Sequence, residues 1–93
     1  MTVRVGQQIW IPCEIKPGAF SDESLVRVSA GENEWVGFVP SASLQFRGNR
    51  HFILASVVEV SDDEVSLQFS GHALTPTLFQ DRISRLTERG SFQ

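Results

Sequence analysis

The sequence predicts an all-β domain, a small barrel of five or six strands with short 3-10 turns and no long helix. Three observations predict it. Apolar and polar residues alternate in several short runs, as they do in strands that bury one face. Gly, Pro, Asn and Asp interrupt the chain between those runs. No stretch sustains the 3.6-residue apolar period of a core helix. Ninety-three residues make one domain over 1–93, near the size at which a single core becomes adequate.

The elements follow in order. Val3 and Val5 open the first strand or precede it, with Gly6 as a kink. Ile9, Ile11, Cys13 and Ile15 then alternate with Trp10, Pro12, Glu14 and Lys16. This period of two turns the isoleucines and Cys13 inward and Trp10 outward. Pro12 has no N–H to give a ladder, so this strand is expected at an edge or bulged there. Lys16-Pro17-Gly18 marks a turn, and a second strand runs from about Leu25 to Ser29. Ala30-Gly31-Glu32-Asn33 is a hairpin loop with its glycine, leading to a third strand over Trp35–Val39. Pro40 to Leu44 is too short for an α-helix and predicts a 3-10 turn.

Gln45–His51 reads as a polar loop bearing arginines. Phe52–Val60 is the most hydrophobic run; short, β-branched and bounded by turn residues, it predicts a central strand. Ser61-Asp62-Asp63-Glu64 turns it into a strand through Val65, Leu67 and Phe69, the clearest hairpin in the chain. Gly71–Thr75 is a loop, Thr77–Phe79 a last short strand, and Asp81–Leu86 a final turn with Asp81 as N-cap. Residues from about 90 to 93 are expected to fray.

Composition narrows the function. Eleven acidic residues outweigh eight basic ones for a net charge of −3, and Lys16 is the one lysine. A domain that grips phosphate backbones carries a basic excess, so nucleic-acid binding here must rest on a local patch. No apolar run reaches the ~18 residues of a membrane helix. The N-terminus has no apolar segment after its basic residue, so no signal peptide is expected. A single cysteine excludes an internal disulfide. The expectation is a reduced, cytoplasmic protein.

Two segments carry a resemblance. Trp35-Val36-Gly37-Phe38-Val39-Pro40-Ser41-Ala42-Ser43-Leu44 resembles the closing segment of SH3 domains, in which a tryptophan, a glycine and a strand lead into a Pro-Ser 3-10 turn. Lys16-Pro17-Gly18-Ala19-Phe20-Ser21-Asp22-Glu23 resembles the KOW motif of ribosome- and transcription-associated proteins. Both families share the SH3-like barrel, and the resemblance implies that fold here.

The first candidate site is an aromatic-acidic face of Trp10, Phe20, Trp35 and Pro40 with Asp22 and Glu23. Trp35 is expected to face a ligand because SH3 domains place a tryptophan so. Rim aromatics offer rigid slots to an extended peptide, and acids select its arginines or lysines. The alternative is a KOW-like nucleic-acid or ribosome-associated module using Arg47, Arg50, Arg82 and Arg85, since arginine beside aromatics can stack on bases. Cys13 with His51 or His72 is a weak nucleophile–base pair, because a thiol on an inward strand face is inert. Neither metal-ligand spacing nor a phosphate-cradling glycine run is present, so no metal, cofactor or catalytic group is assigned. Phe52–Val60 is apolar on both faces. A homodimer burying Phe52, Leu54 or Val58 would cover the outer one, and so would Phe46, Leu74 and Leu78 folding over it. The overall expectation is a non-enzymatic binding module for a protein or peptide partner.

Overall fold

A computed structural model describes residues 3–17, 22–74, 78–89 and 91–92. Its strands are β1 (Gln8–Pro17), β2 (Glu23–Ala30), β3 (Asn33–Pro40), β4 (Gln45–Arg47), β5 (Arg50–Ser61), β6 (Glu64–Phe69), β7 (His72–Ala73), β8 (Leu78–Arg82) and β9 (Ser91–Phe92). A 3-10 turn, η1, spans Ser41–Ser43, and a seven-residue helix, α1, spans Ile83–Arg89. The fold is all-β, and the described strands exceed the five or six expected. Three of the extra ones are short pieces that pair at the flanks: β4 on β5, β7 on β3 and β9 on β1.

All described pairings are antiparallel, in the order β7-β3-β2-β1-β5-β6-β8. β1 is shared by two limbs. Its first part, Gln8–Cys13, pairs with β5, and its last part, Glu14–Pro17, pairs with β2. The sheet curls around this strand into a small antiparallel half-barrel, in which β3 and β8, from opposite limbs, meet through Asn33 Nδ2 donating to Gln80 O at 2.9 Å. β1 is therefore central rather than an edge. Pro12 sits beyond the β9 pairing at Ile9 and Trp10 and before the β2 pairing at Glu14, so one flank of the strand has no ladder there among the described residues. A missing donor is tolerated at such a gap for the reason it is tolerated at an edge.

The inward faces build the core. Ile9 and Ile11 of β1, Val26 and Val28 of β2, Trp35 and Val39 of β3, Ile53, Ala55 and Val57 of β5, and Val65, Leu67 and Phe69 of β6 are all buried. Phe79 and Leu86 complete it from β8 and α1. Aromatic rings cross the interior from one limb to the other: Trp35 to Phe69 at 4.8 Å, and Phe69 to Phe79 at 5.7 Å.

Three local expectations are corrected. Gln45–His51 is a hairpin rather than a loop, with Arg47 opposite Arg50 across the two-residue turn Gly48-Asn49. Gly48 takes φ +60, the left-handed conformation that glycine supplies without strain. The segment after Asp81 is a short α-helix rather than a single turn. Asp81 lies two residues before its first residue, in β8, accepting from Arg82 N at 2.8 Å and from Arg85 Nη1 at 3.1 Å. Ser91 and Phe92, expected to fray, pair beside Trp10 and Ile9 as β9.

Candidate interaction face

The outer surfaces of the two limbs differ in kind. Where β1 meets β5, Trp10 lies opposite Leu54 and Pro12 opposite Phe52. Directly opposed residues share a face, so these four side chains form one patch. Their inward neighbours Ile9, Ile11, Ile53 and Ala55 are core, so the patch faces out. Trp10, Phe52 and Leu54 are half-buried and Pro12 is buried. On the other limb, the outer face carries Glu14, Lys16, Arg27 and Glu34, with Arg27 Nε donating to Glu34 Oε2 at 2.7 Å. That face also holds the half-buried Leu25, Val36 and Phe38, with Leu25 directly opposite Phe38, so its charges are interleaved with apolar carbon, whereas the β1–β5 patch is a cluster of aromatic and aliphatic side chains.

The β4–β5 hairpin extends the apolar patch. Gln45 is opposite Phe52, and Arg47 and Arg50 face each other two positions further on, so all four lie on the outer side. The Arg47 guanidinium stacks over the Phe52 ring, 4.9 Å from its centroid. Phe46 points to the other side of the hairpin, 63% exposed, with its ring 4.7 Å from His51. The face is thus aromatic and basic. The nearest acid along β1, Glu14, is paired in register with Arg27 of the other limb, whose guanidinium is kept protonated by Glu34 first and Glu14 after it, and Glu14 also lines a surface cavity with Arg50.

The aromatic-acidic groove does not assemble. Trp35 is 1% exposed. It lies opposite Val28 on the inward face, and its ring closes on Gly37, where a Cβ would stand 2.6 Å from Trp35 Cη2. Its Nε1 is buried without a partner. Pro40, five residues along β3, is on the opposite face and exposed. Pro40 pairs with Glu23, and Ser41 N donates to Asp22 O at 2.9 Å, so Asp22, Glu23 and Pro40 do share one corner. That corner is beyond Pro17, whose partner is Ser24, while Trp10 is seven residues back along β1. At the rise of a strand this is about 23 Å of chain. Phe20 lies outside the described residues.

The arginines also fall into two groups. Arg47 and Arg50 occupy the hairpin tip at the start of β5, whereas Arg82 pairs with Glu64 at its far end. β5 covers twelve residues, roughly 35–40 Å at strand rise, in a molecule whose longest extent is 40 Å. Arg85 is turned onto Asp81. The four residues do not make one patch.

Cys13 stands opposite His51, the imidazole that the sequence offered as its base. Burial pushes the thiol up to about 11, so at neutral pH it is protonated and a poor nucleophile. Among the described residues no group of three His, Cys, Asp or Glu side chains is placed to hold a metal ion. No described helix is long and apolar enough to cross a membrane. Phe46, Leu74 and Leu78 do not fold over the outer face of β5; they are 63%, 62% and 50% exposed.

The residues that sequence reasoning passed over are Pro12 and Leu54 as partners of Trp10. The alternation shows that all three point outward, but their adjacency requires the β1–β5 register. Comparison of the chain with protein-family models, with curated proteins and with solved structures finds no match.

Proposed function

We propose that this chain is a non-enzymatic, SH3-like binding module that takes a protein or peptide partner on the outer face of β1 and β5. The observation that carries this reading is the cross-strand cluster of Trp10, Pro12, Phe52 and Leu54 on the outward face of the limb, where Trp10, Phe52 and Leu54 remain half-exposed around a buried Pro12. Clustered aromatic and aliphatic anchors beside a polar rim are what a partner buries most productively. Ser56 and Gln8 supply one rim and the β4–β5 hairpin the other. A lone cysteine suits a reducing, cytoplasmic setting.

The test is selection of binders from a random peptide display library on the immobilised protein. Selected peptides are then titrated against Trp10→Ala, Leu54→Arg and Glu34→Ala. The first two are expected to weaken binding at least tenfold, and the third, on the charged limb, to leave it unchanged. Emission of the shielded Trp35 verifies that each variant is folded. Binders indifferent to both Trp10→Ala and Leu54→Arg would place the contact elsewhere and end this reading.

A further inference from the structure

We infer that the partner of this face is acidic: an apolar segment carrying carboxylates, clamped by Arg47 and Arg50 at the tip of the β4–β5 hairpin. The inference rests on the interaction face proposed above and names the chemistry of its occupant.

The first support is a like-charge cross-strand pair that no ion pair among the described residues offsets, the closest acid being Glu14 in the cavity it lines with Arg50. Arg47 and Arg50 are direct cross-strand partners, and like charges so placed destabilise a sheet. The ion pairs among the described side chains are Arg27–Glu34 and Arg85–Asp81, so neither tip guanidinium meets a carboxylate. An anion between the two would turn that repulsion into attraction, and a guanidinium receives a carboxylate through two parallel N–H donors. The second support is placement. The Arg47 guanidinium carbon sits over the Phe52 ring, a contact that helps to order the cation. Phe52 is paired to Pro12, and the next outward pair is Leu54 with Trp10. Cation and apolar anchors therefore succeed one another along a single strand. An extended segment with a carboxylate two or four residues from an apolar side chain matches that spacing.

Charge also separates this partner from a nucleic acid. A phosphate backbone needs a basic track, whereas Arg82 sits at the far end of β5 and Arg85 is spent on Asp81. Over the whole chain the charge is −3. Two arginines on a net-negative domain suit one or two carboxylates better than a polyanion.

The same display library supplies the probe. Peptides selected on the natural chain are expected to be enriched in Asp and Glu, and to lose at least tenfold in affinity on Arg47→Ala/Arg50→Ala while retaining their dependence on Trp10. Arg50→Glu should separate two effects that a merely structural arginine would not: it replaces the repulsion with an Arg–Glu cross-strand pair, raising the melting temperature by about 1–5 °C, yet it weakens the acidic peptides. Peptides that need Trp10 but carry no acidic enrichment, or bind the double alanine variant equally well, would overturn the inference and leave the proposed face standing. A 12-nucleotide oligouridylate that displaces the peptides at 150 mM salt would overturn it in favour of nucleic acid. Concentration-dependent dimerisation abolished by Leu54→Arg, seen by sedimentation, would assign the face to a second copy of the chain instead.

Discussion

At Gly37 the chain comes within contact distance of two neighbours at once. A Cβ there would lie 2.6 Å from His72 O, a backbone atom of β7, and 2.6 Å from the Trp35 ring. Neither can yield cheaply, since one is held by sheet pairing and the other is packed on Phe69. Gly37→Ala is expected to cost about 1–3 kcal/mol, as overpacked cores do, measured as a drop in the urea midpoint with near-UV dichroism of Trp35 altered. Unchanged stability would mean that β7 is not held against β3. Cys13 gives a prediction in pH. Its thiol is neutral in the fold up to about 11, against an ordinary value of 9.0. Between those values the unfolded chain has released the proton and the folded one has kept it, so stability falls as pH rises through that window. Urea titrations at pH 8 and pH 10.5 should show a smaller alkaline loss for Cys13→Ala than for the natural chain; equal losses would remove Cys13 from the account. The two tryptophans show what was legible at this scale. Trp10 was readable as outward because it alternates with Ile9 and Ile11, a rule internal to one strand. Trp35 was misread because a resemblance placed it, whereas the glycine two residues on makes room for its ring inside.

Hairpins are the elements that the sequence announces best. β5–β6 closes through Asp62-Asp63, and β2–β3 through Gly31-Glu32, both two-residue turns. Their first residues take φ +51 and +61, the positive φ that two-residue hairpin turns require there. Asp62 fills that position without being glycine, which an Asp side chain tolerates and a β-branched one does not. Asp62→Gly is expected to hold stability or raise it by a few tenths of a kcal/mol, and Asp62→Val to lower it by about 1–2 kcal/mol. Chemical denaturation of both variants checks this; a neutral Asp62→Val would show that the turn adopts another conformation. The β4–β5 hairpin is hard to read because β4 is only three residues long and the paired start of β5 is polar, although Gly48-Asn49 is itself a turn signal. A bulge at Val58 was not legible at all. Val57 pairs with Leu67 and Glu59 with Ser66, so Val58 is an extra residue on β5. It shifts the alternation, leaving Val58 36% exposed and returning Val60 to the inward side. A run of apolar residues such as Leu54 to Val60 conceals a bulge, because either face looks equally acceptable.

At the scale of the whole molecule, what makes a curled sheet into a half-barrel is the meeting of its two ends. Inside, Trp35 of β3 reaches Phe79 of β8 through Phe69. Outside, the described contacts gather at the β2–β3 turn: Asn33 Nδ2 bonds Gln80 O, and the Arg85 guanidinium lies close enough to Gly31 that a Cβ there would be 3.2 Å from Nη1. Arg85 is held in that position by Asp81, which is 4% exposed and also receives Arg82 N. One part of that meeting is thus supplied by the short helix α1, which brings Arg85 back beside Gly31 of the β2–β3 turn. Such a closure is local, since the β1–β5 pairing does not pass through it. Asn33→Ala and Arg85→Ala, each removing one outer contact, are expected to cost about 0.5–1.5 kcal/mol apiece. More tellingly, they should speed amide exchange in β8 and α1 while β1 and β5 keep their protection, because opening at one end exposes only the strands at that end. Phe79→Leu is the contrasting variant: it breaks the aromatic bridge in the core and should lower protection throughout the sheet. If Asn33→Ala instead lowered protection uniformly, the two ends would belong to one cooperative unit with the centre, and the seam would be as much a part of the barrel as any pair of bonded strands.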